Sequence, residues 1–263
     1  MKKPAEVASG YLSIGRSKVS APLYKSFILG ILAGAFIALA GIGSQVASAT
    51  LTGSIGKVLA AAVFPAGLAM VLIAGSELFT GNCLLIMPLM KKEVKWGRTL
   101  AALGVVYLGN FIGAGLVAAL VVLGGTPSLF SGTLASAIVS TASAKVSLSF
   151  IEALVRGVLC NFLVCIAVWM SFSAETVSGK IAALFFPIFL FVCCGFEHVV
   201  ANMYYIPAGL LSAEKYGITA EALTVGAYFI NNLLPVTLGN VIGGAAFVGV
   251  PYASVYLSKK EEK

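Results

Sequence analysis

Aspartate is absent from this chain of 263 residues, and its ten acidic residues are all glutamate. Charged side chains make up only 10% of the total, against about a quarter in soluble domains. A solvated surface of ordinary polarity is thereby excluded. Histidine occurs once, as His198. The five cysteines (Cys83, Cys160, Cys165, Cys193 and Cys194) all lie in apolar stretches, without zinc-site spacing. They read as small buried hydrophobes, and neither a metal ion nor any other cofactor is expected. No His-Glu-x-x-His occurs, and the adjacent pair Glu197-His198 does not share a helix face. Enzyme classes, intramembrane proteases included, lose their chemistry on that ground. A secretory leader is not expected either, because Pro4, Glu6, Arg16, Lys18 and Lys25 precede the first long apolar run.

What the chain does have is apolar surface. Hydrophobic residues reach 59% and the mean hydropathy is +1.01. Twenty-nine glycines suit closely packed transmembrane helices, where small residues let backbones approach. The net charge of +7 would suggest nucleic acid in a soluble protein. Here the basic residues fill the gaps between apolar runs, so they read as topology signals and no nucleic-acid partner is expected. The runs cover 26–49, 58–90, 99–123, 153–174, 181–211 and 226–257. A helix needs about 20 residues to cross a hydrocarbon core, which predicts six spans in a lipid bilayer. Thirteen lysines and arginines fall in the N-terminal segment, the 91–98 loop, position 180 and the C-terminal tail. Lys57, Lys145 and Lys215 lie on the other side, with Arg156 at the edge of the fourth span. The positive-inside rule then predicts a multi-pass protein of the cell membrane with both termini cytoplasmic. Residues 1–25 form a cytoplasmic segment, with an amphipathic surface helix over 4–20. Residues 26–257 form the membrane domain and 258–263 a cytoplasmic tail.

The second and fifth runs are too long for single crossings, and each carries a carboxylate near its middle. Around those carboxylates the chain repeats itself. Gly75-Ser76-Glu77-Leu78-Phe79-Thr80-Gly81-Asn82 and Gly195-Phe196-Glu197-His198-Val199-Val200-Ala201-Asn202 share Gly-x-Glu-x-x-x-x-Asn. Downstream, Leu108-Gly109-Asn110-Phe111-Ile112-Gly113 is echoed by Leu238-Gly239-Asn240-Val241-Ile242-Gly243. Two matches in the same order predict a duplication with both long helices broken. Irregular backbone at membrane depth is tolerated only inside protein or beside a water-filled cavity. Paired breaks are also the strongest sequence pointer to a transport site. Three spans per repeat is an odd number, so the second copy enters from the opposite side. The fold class is an all-α membrane protein of six helices, arranged as a 3+3 inverted repeat.

Ionisable residues inside a membrane are functional candidates by default. His198 stands at the second break, with a hydrogen-bonded core histidine as the alternative reading. Thr80, in the first break, is the hydroxyl expected to face it across the pseudo-axis. Glu77, Asn82, Glu197 and Asn202 are expected to brace the breaks by accepting from backbone N–H groups that lose their helical partners. Asn110 and Asn240 read as interhelical glue beside glycine. Lys145, placed in an outer loop before the fourth span, would draw anions inward, or else is simply a solvated lysine. Neither an Asn-Pro-Ala box nor a second histidine is present, which argues against water and ammonium channels.

Four blocks in order carry a family likeness: Gly75-Ser76-Glu77-Leu78-Phe79-Thr80-Gly81, Cys160-Asn161-Phe162-Leu163-Val164-Cys165, Gly195 through Met203, and Pro235-Val236-Thr237-Leu238-Gly239-Asn240. Through them the chain resembles the formate/nitrite transporter family along almost its whole length. The resemblance implies an aquaporin-like fold assembled as a homopentamer, each protomer with its own pore for a small monovalent anion. It also implies that Leu68, Leu78 and Phe79 form a cytoplasmic constriction, and Phe64, Val164 and Phe191 a periplasmic one. Between them Thr80 and His198 would face each other, with Asn161 near the pore and Lys145 supplying positive potential outside. Gly75–Gly81 is closer to the nitrite-type than to the formate-type pattern. Formate, nitrite and hydrosulfide remain open as substrates, and so does proton-coupled symport on the same fold. Moving a bare anion through an apolar constriction costs tens of kcal/mol in the idealised limit. Protonating a weak acid of pKa near 4 at pH 7 costs roughly 4 kcal/mol. The expected route is therefore an anion that enters a basic vestibule, meets His198 and crosses at least partly protonated.

Overall fold

The computed structural model describes residues 1–258; the expected tail at 258–263 lies, from residue 259 on, outside the described residues. Helix α1 (Pro4–Ser20) starts on a proline at its first position, where the missing N–H has no cost. It buries Val7, Ala8, Tyr11, Gly15 and Val19, one stripe at helical spacing. Then follow α2 (Leu23–Ser48) and α3 (Gly53–Ile73). After an interruption comes α4 (Gly81–Met90), whose first five residues form a tighter turn. Helix α5 (Trp96–Leu123) precedes α6 (Thr133–Val146). Ser149 and Glu152 close a capping box at the start of α7 (Phe150–Ser173). Helix α8 (Val177–Cys193), a second interruption, α9 (Val199–Tyr216) and α10 (Val225–Tyr256) complete the chain. Gly217, left-handed at φ +64°, ends α9.

Five of these helices (α2, α3, α5, α7 and α10) are long and apolar enough to cross a membrane. Helices α4 and α8 are shorter apolar pieces beside the interruptions. The molecule's outer face is apolar, unlike that of a soluble domain, and buried polar residues sit within an otherwise apolar core. Its surface displays Leu100, Leu108, Ile112, Leu116 and Leu120 along α5, while Asn110, Asn161, Glu197, His198, Asn202, Asn232 and Asn240 are buried.

Helix α2 packs along α5 and α7 along α10, at distances only glycine permits. A Cβ on Gly34 would overlap the backbone of Asn110, and one on Gly113 would meet the carbonyl of Ile31. The equivalent contacts in the second half join Gly239 to Leu154 and Gly243 to Val158. Overpacking typically costs about 1–3 kcal/mol. Gly113→Ala is therefore expected to lower the thermal unfolding midpoint in detergent by several degrees. Gly115→Ala, where a Cβ would meet no neighbouring element within 4 Å, should not lower the midpoint and gains from the higher helix propensity of Ala.

One expectation needs correcting. Lys145 is not in a loop; it occupies the last turn of α6, a helix whose buried face packs on α9. The stretch is rich in Ser, Thr and Ala, which lowers its hydropathy below that of a span. Yet Leu134, Ile138, Ala142 and Val146 recur every four residues and are all buried.

Candidate functional site

At each interruption a glycine turns the backbone left-handed, Gly75 at φ +80° and Gly195 at φ +69°, a conformation that costs glycine little. The groups released there find matching partners. The Phe79 N–H donates to Asn110 Oδ1 (2.9 Å), while Asn110 Nδ2 donates to the carbonyls of Gly30 (2.8 Å) and Glu77 (2.9 Å). In the second half the Val199 N–H donates to Asn240 Oδ1 (2.9 Å). Asn240 Nδ2 donates to the carbonyls of Gly157 (2.8 Å) and Glu197 (2.9 Å). The Glu77 and Glu197 N–H groups reach across to the carbonyls of Leu29 and Arg156. Sequence reasoning gave these backbone donors to Glu77, Asn82, Glu197 and Asn202. The geometry gives them to Asn110 and Asn240, because a side chain on the neighbouring helix can reach both the donor and the acceptors of a break.

The carboxylates serve ion pairs instead. Glu77 accepts from Lys18 Nζ (2.7 Å) and from Asn82 Nδ2 (2.7 Å), and Asn82 Oδ1 accepts from the same lysine (3.0 Å). Glu197 accepts from Lys145 Nζ (2.9 Å), Asn202 Nδ2 (2.6 Å) and Asn232 Nδ2 (3.2 Å). Each lysine comes from a helix outside the repeated motif. No local signal marks Lys18, 59 positions from its partner. The Lys145–Glu197 side chains are 15% and 5% exposed, against 22% and 15% for Lys18–Glu77. Stripping one partner from a buried pair leaves an uncompensated charge. Lys145→Met is accordingly expected to cost about 3 kcal/mol, and Lys18→Met less, as read by tryptophan-fluorescence melting of the two variants.

His198 caps the start of α9, its Nδ1 accepting from the Ala201 N–H (3.1 Å). A neutral imidazole has one donor and one acceptor nitrogen, so the proton sits on Nε2. That nitrogen lies 2.9 Å from Thr80 Oγ1. Nε2–H therefore donates to Thr80, and the hydroxyl hydrogen of Thr80 is left to serve another acceptor. The two interruptions thus meet through one hydrogen bond between buried side chains. Asn161 ties them further, Nδ2 donating to the carbonyls of Thr80 (3.2 Å) and Asn240 (2.6 Å).

Three cavities with shared walls run through this junction. The outermost, about 200 Å³, is lined by Lys145, Glu197, Asn202, Phe64, Phe191 and His198 among others. The central one, about 10 Å³, lies among Phe64, Phe191, Val164, Leu68, Leu78 and His198. The third, about 30 Å³, is bounded by Leu68, Leu78, Asn82 and Lys18, and by Tyr11 of α1. Phe64 and Phe191 meet edge-to-face at 5.6 Å. Phe79 is elsewhere: its ring packs on Tyr107 at 4.8 Å and faces a lateral apolar pocket with Phe229 and Leu233. Leu78 thus lines the central cavity, and its neighbour Phe79 the lateral pocket.

The family model described as Formate/nitrite transporter matches residues 5–254. The chain belongs to the formate/nitrite transporter family. Its likeness to the Probable formate transporter of Methanothermobacter thermautotrophicus is 37% identity, over 98% of each chain. Formate channel FocA of Haemophilus influenzae is 39% identical, over 86% of this chain and 85% of that one. Among solved structures, a pentameric formate channel with formate bound superposes with a TM-score of 0.79 at 32% identity, covering 89% of this chain and 98% of that one. The relatives are channels and transporters, not enzymes, and this family member is a membrane protein with several apolar spans.

Proposed function

We propose that this transporter is a channel for small monovalent anions of weak acids, with formate its foremost substrate and nitrite and hydrosulfide of the same class. The hydrogen bond between Thr80 and His198, buried between two apolar constrictions, carries the reading. Six crossings arranged as a 3+3 inverted repeat account for the matching hydrogen bonds of Asn110 and Asn240. The distribution of lysine and arginine supports termini in the cytoplasm, and the pentameric relative supports a homopentamer.

An anion arriving from the Lys145 side enters the large cavity, where the ammonium group holds it by charge. That charge favours the ionised form, so Lys145 attracts and does not protonate. The central cavity between Phe64, Phe191, Leu68 and Leu78 is apolar and narrow, a seal of the kind that excludes a hydrated ion. The neutral acid passes it at lower cost, taking its proton from vestibule water. His198 holds Nδ1 in the helix cap, so it takes no second proton without giving up Ala201. Its part is to hold the Thr80 oxygen through Nε2–H, which leaves the Thr80 hydroxyl hydrogen as the donor at the narrowest point.

Proteoliposomes loaded with a pH dye and offered formate, nitrite, hydrosulfide, acetate or lactate at two pH values test the reading. Flux of the small anions that rises at the lower pH supports it, and absence of flux for all five overturns it. Voltage-clamped current without proton uptake marks a channel; current locked to proton uptake marks a symporter.

A further inference from the structure

The outer cavity contains a polar side chain that the permeation path does not use. Gln45 on α2 lines it beside Lys145, His198 and Tyr205, and is 7% exposed. Its Oε1 accepts from the Tyr204 hydroxyl at 3.2 Å, and that bond orients the amide. Its Nε2 is buried without a hydrogen-bond partner among the described residues. Buried amide groups are almost always paired, so an unpartnered NH2 on a side chain that lines a cavity points to something that comes and goes, reached by a small turn of the amide. Lys145 commits one donor to Glu197 and, as an ammonium, has two more. The cavity, at about 200 Å³, has room for a small anion with several waters.

We infer that Gln45 and Lys145 form a selectivity site for anions with two oxygens on one centre. One oxygen accepts from Lys145 Nζ and the other from Gln45 Nε2, before the anion reaches Phe64 and Phe191. Formate and nitrite have that shape. Hydrosulfide offers one weakly accepting sulfur and gains from the lysine alone. Gln45 thus discriminates within the substrate class, and Tyr204 is a positioning residue that keeps the donor end of the amide toward the anion. The inference rests on the anion-channel reading above.

The test compares formate and hydrosulfide flux from the Lys145 side of oriented proteoliposomes. Gln45→Leu is expected to raise the half-saturating formate concentration about ten-fold, equivalent to about 1.4 kcal/mol, and to leave hydrosulfide flux within two-fold. Tyr204→Phe, which keeps the ring, should shift formate in the same direction by a smaller factor. An unchanged formate-to-hydrosulfide ratio in both variants overturns the inference, the amide then serving only a fixed water. Wild-type protein that moves neither anion overturns the channel reading instead. In that case line broadening of 13C-formate by solubilised protein decides the site: broadening lost in Gln45→Leu upholds it, and broadening equal in both proteins removes it.

Discussion

Replacing His198 with Phe is expected to lower formate flux by about 10- to 100-fold and to leave its rise at lower pH in place, since the proton comes from vestibule water. The magnitude follows from leaving a buried hydrogen-bonding group without its partner, a cost of about 1–3 kcal/mol, with each 1.36 kcal/mol on a barrier giving a factor of ten. Phe preserves the apolar packing against Phe191, whose ring centroid lies 5.9 Å from that of His198. It also removes the helix cap at Ala201, which costs about 1 kcal/mol in stability. His198→Asn separates the two effects. Asn caps a helix well but is too short to reproduce the Nε2 contact with Thr80. Its flux should fall as far as that of the Phe variant while its melting temperature stays near wild type. Thr80→Val removes the hydroxyl and keeps the shape, with an intermediate loss of flux. Formate flux unchanged in both His198 variants would discard the role given to the imidazole.

The interruptions were readable because Glu77 and Glu197 are chemically out of place in apolar runs, and because they recur in the same motif. The meeting of Thr80 with His198 was legible from the order of the repeat alone. What sequence could not show is which neighbour satisfies each group. Lys18 and Lys145 pair with the two carboxylates across 59 and 52 positions, and no periodicity encodes such a distance. Asn110 and Asn240 were visible as a repeated Gly-Asn pair, yet their bond partners depend on how close Gly30–Gly109 and Gly157–Gly239 bring the helices. Phe79 was placed in the constriction by resemblance. Which way each side chain of the break turns, Leu78 to the central cavity and Phe79 to the lateral pocket, is set by the fold around it and not by its composition. Asn232 joins the Glu197 cluster from a π-helical turn of α10, where ordinary helical spacing misplaces it.

The same pairing of hydrogen bonds predicts that Asn110 and Asn240 contribute to stability on the scale of the ion pairs beside them. Each is fully buried and makes three hydrogen bonds, two into its break and one to the carbonyl of Gly30 or Gly157 on a neighbouring helix. Side-chain hydrogen bonds within membranes average about 0.6 kcal/mol and reach about 1.7. Losing three therefore costs about 2–5 kcal/mol, and a protein of this size loses about 2–4 °C of melting temperature per kcal/mol. Asn110→Ala and Asn240→Ala are each expected to melt about 5–15 °C below wild type, followed by tryptophan fluorescence in detergent. The double variant should fail to fold, since both interruptions then hold unpaired backbone at membrane depth. Asp at either position distinguishes this account from simple loss of volume. It keeps an acceptor for the Phe79 or Val199 N–H but turns oxygen toward two carbonyls where the amide turned N–H. Asp should be at least as damaging as Ala. Asp variants that melt like wild type would show that the amide donors do not hold the breaks, and that glycine packing alone suffices.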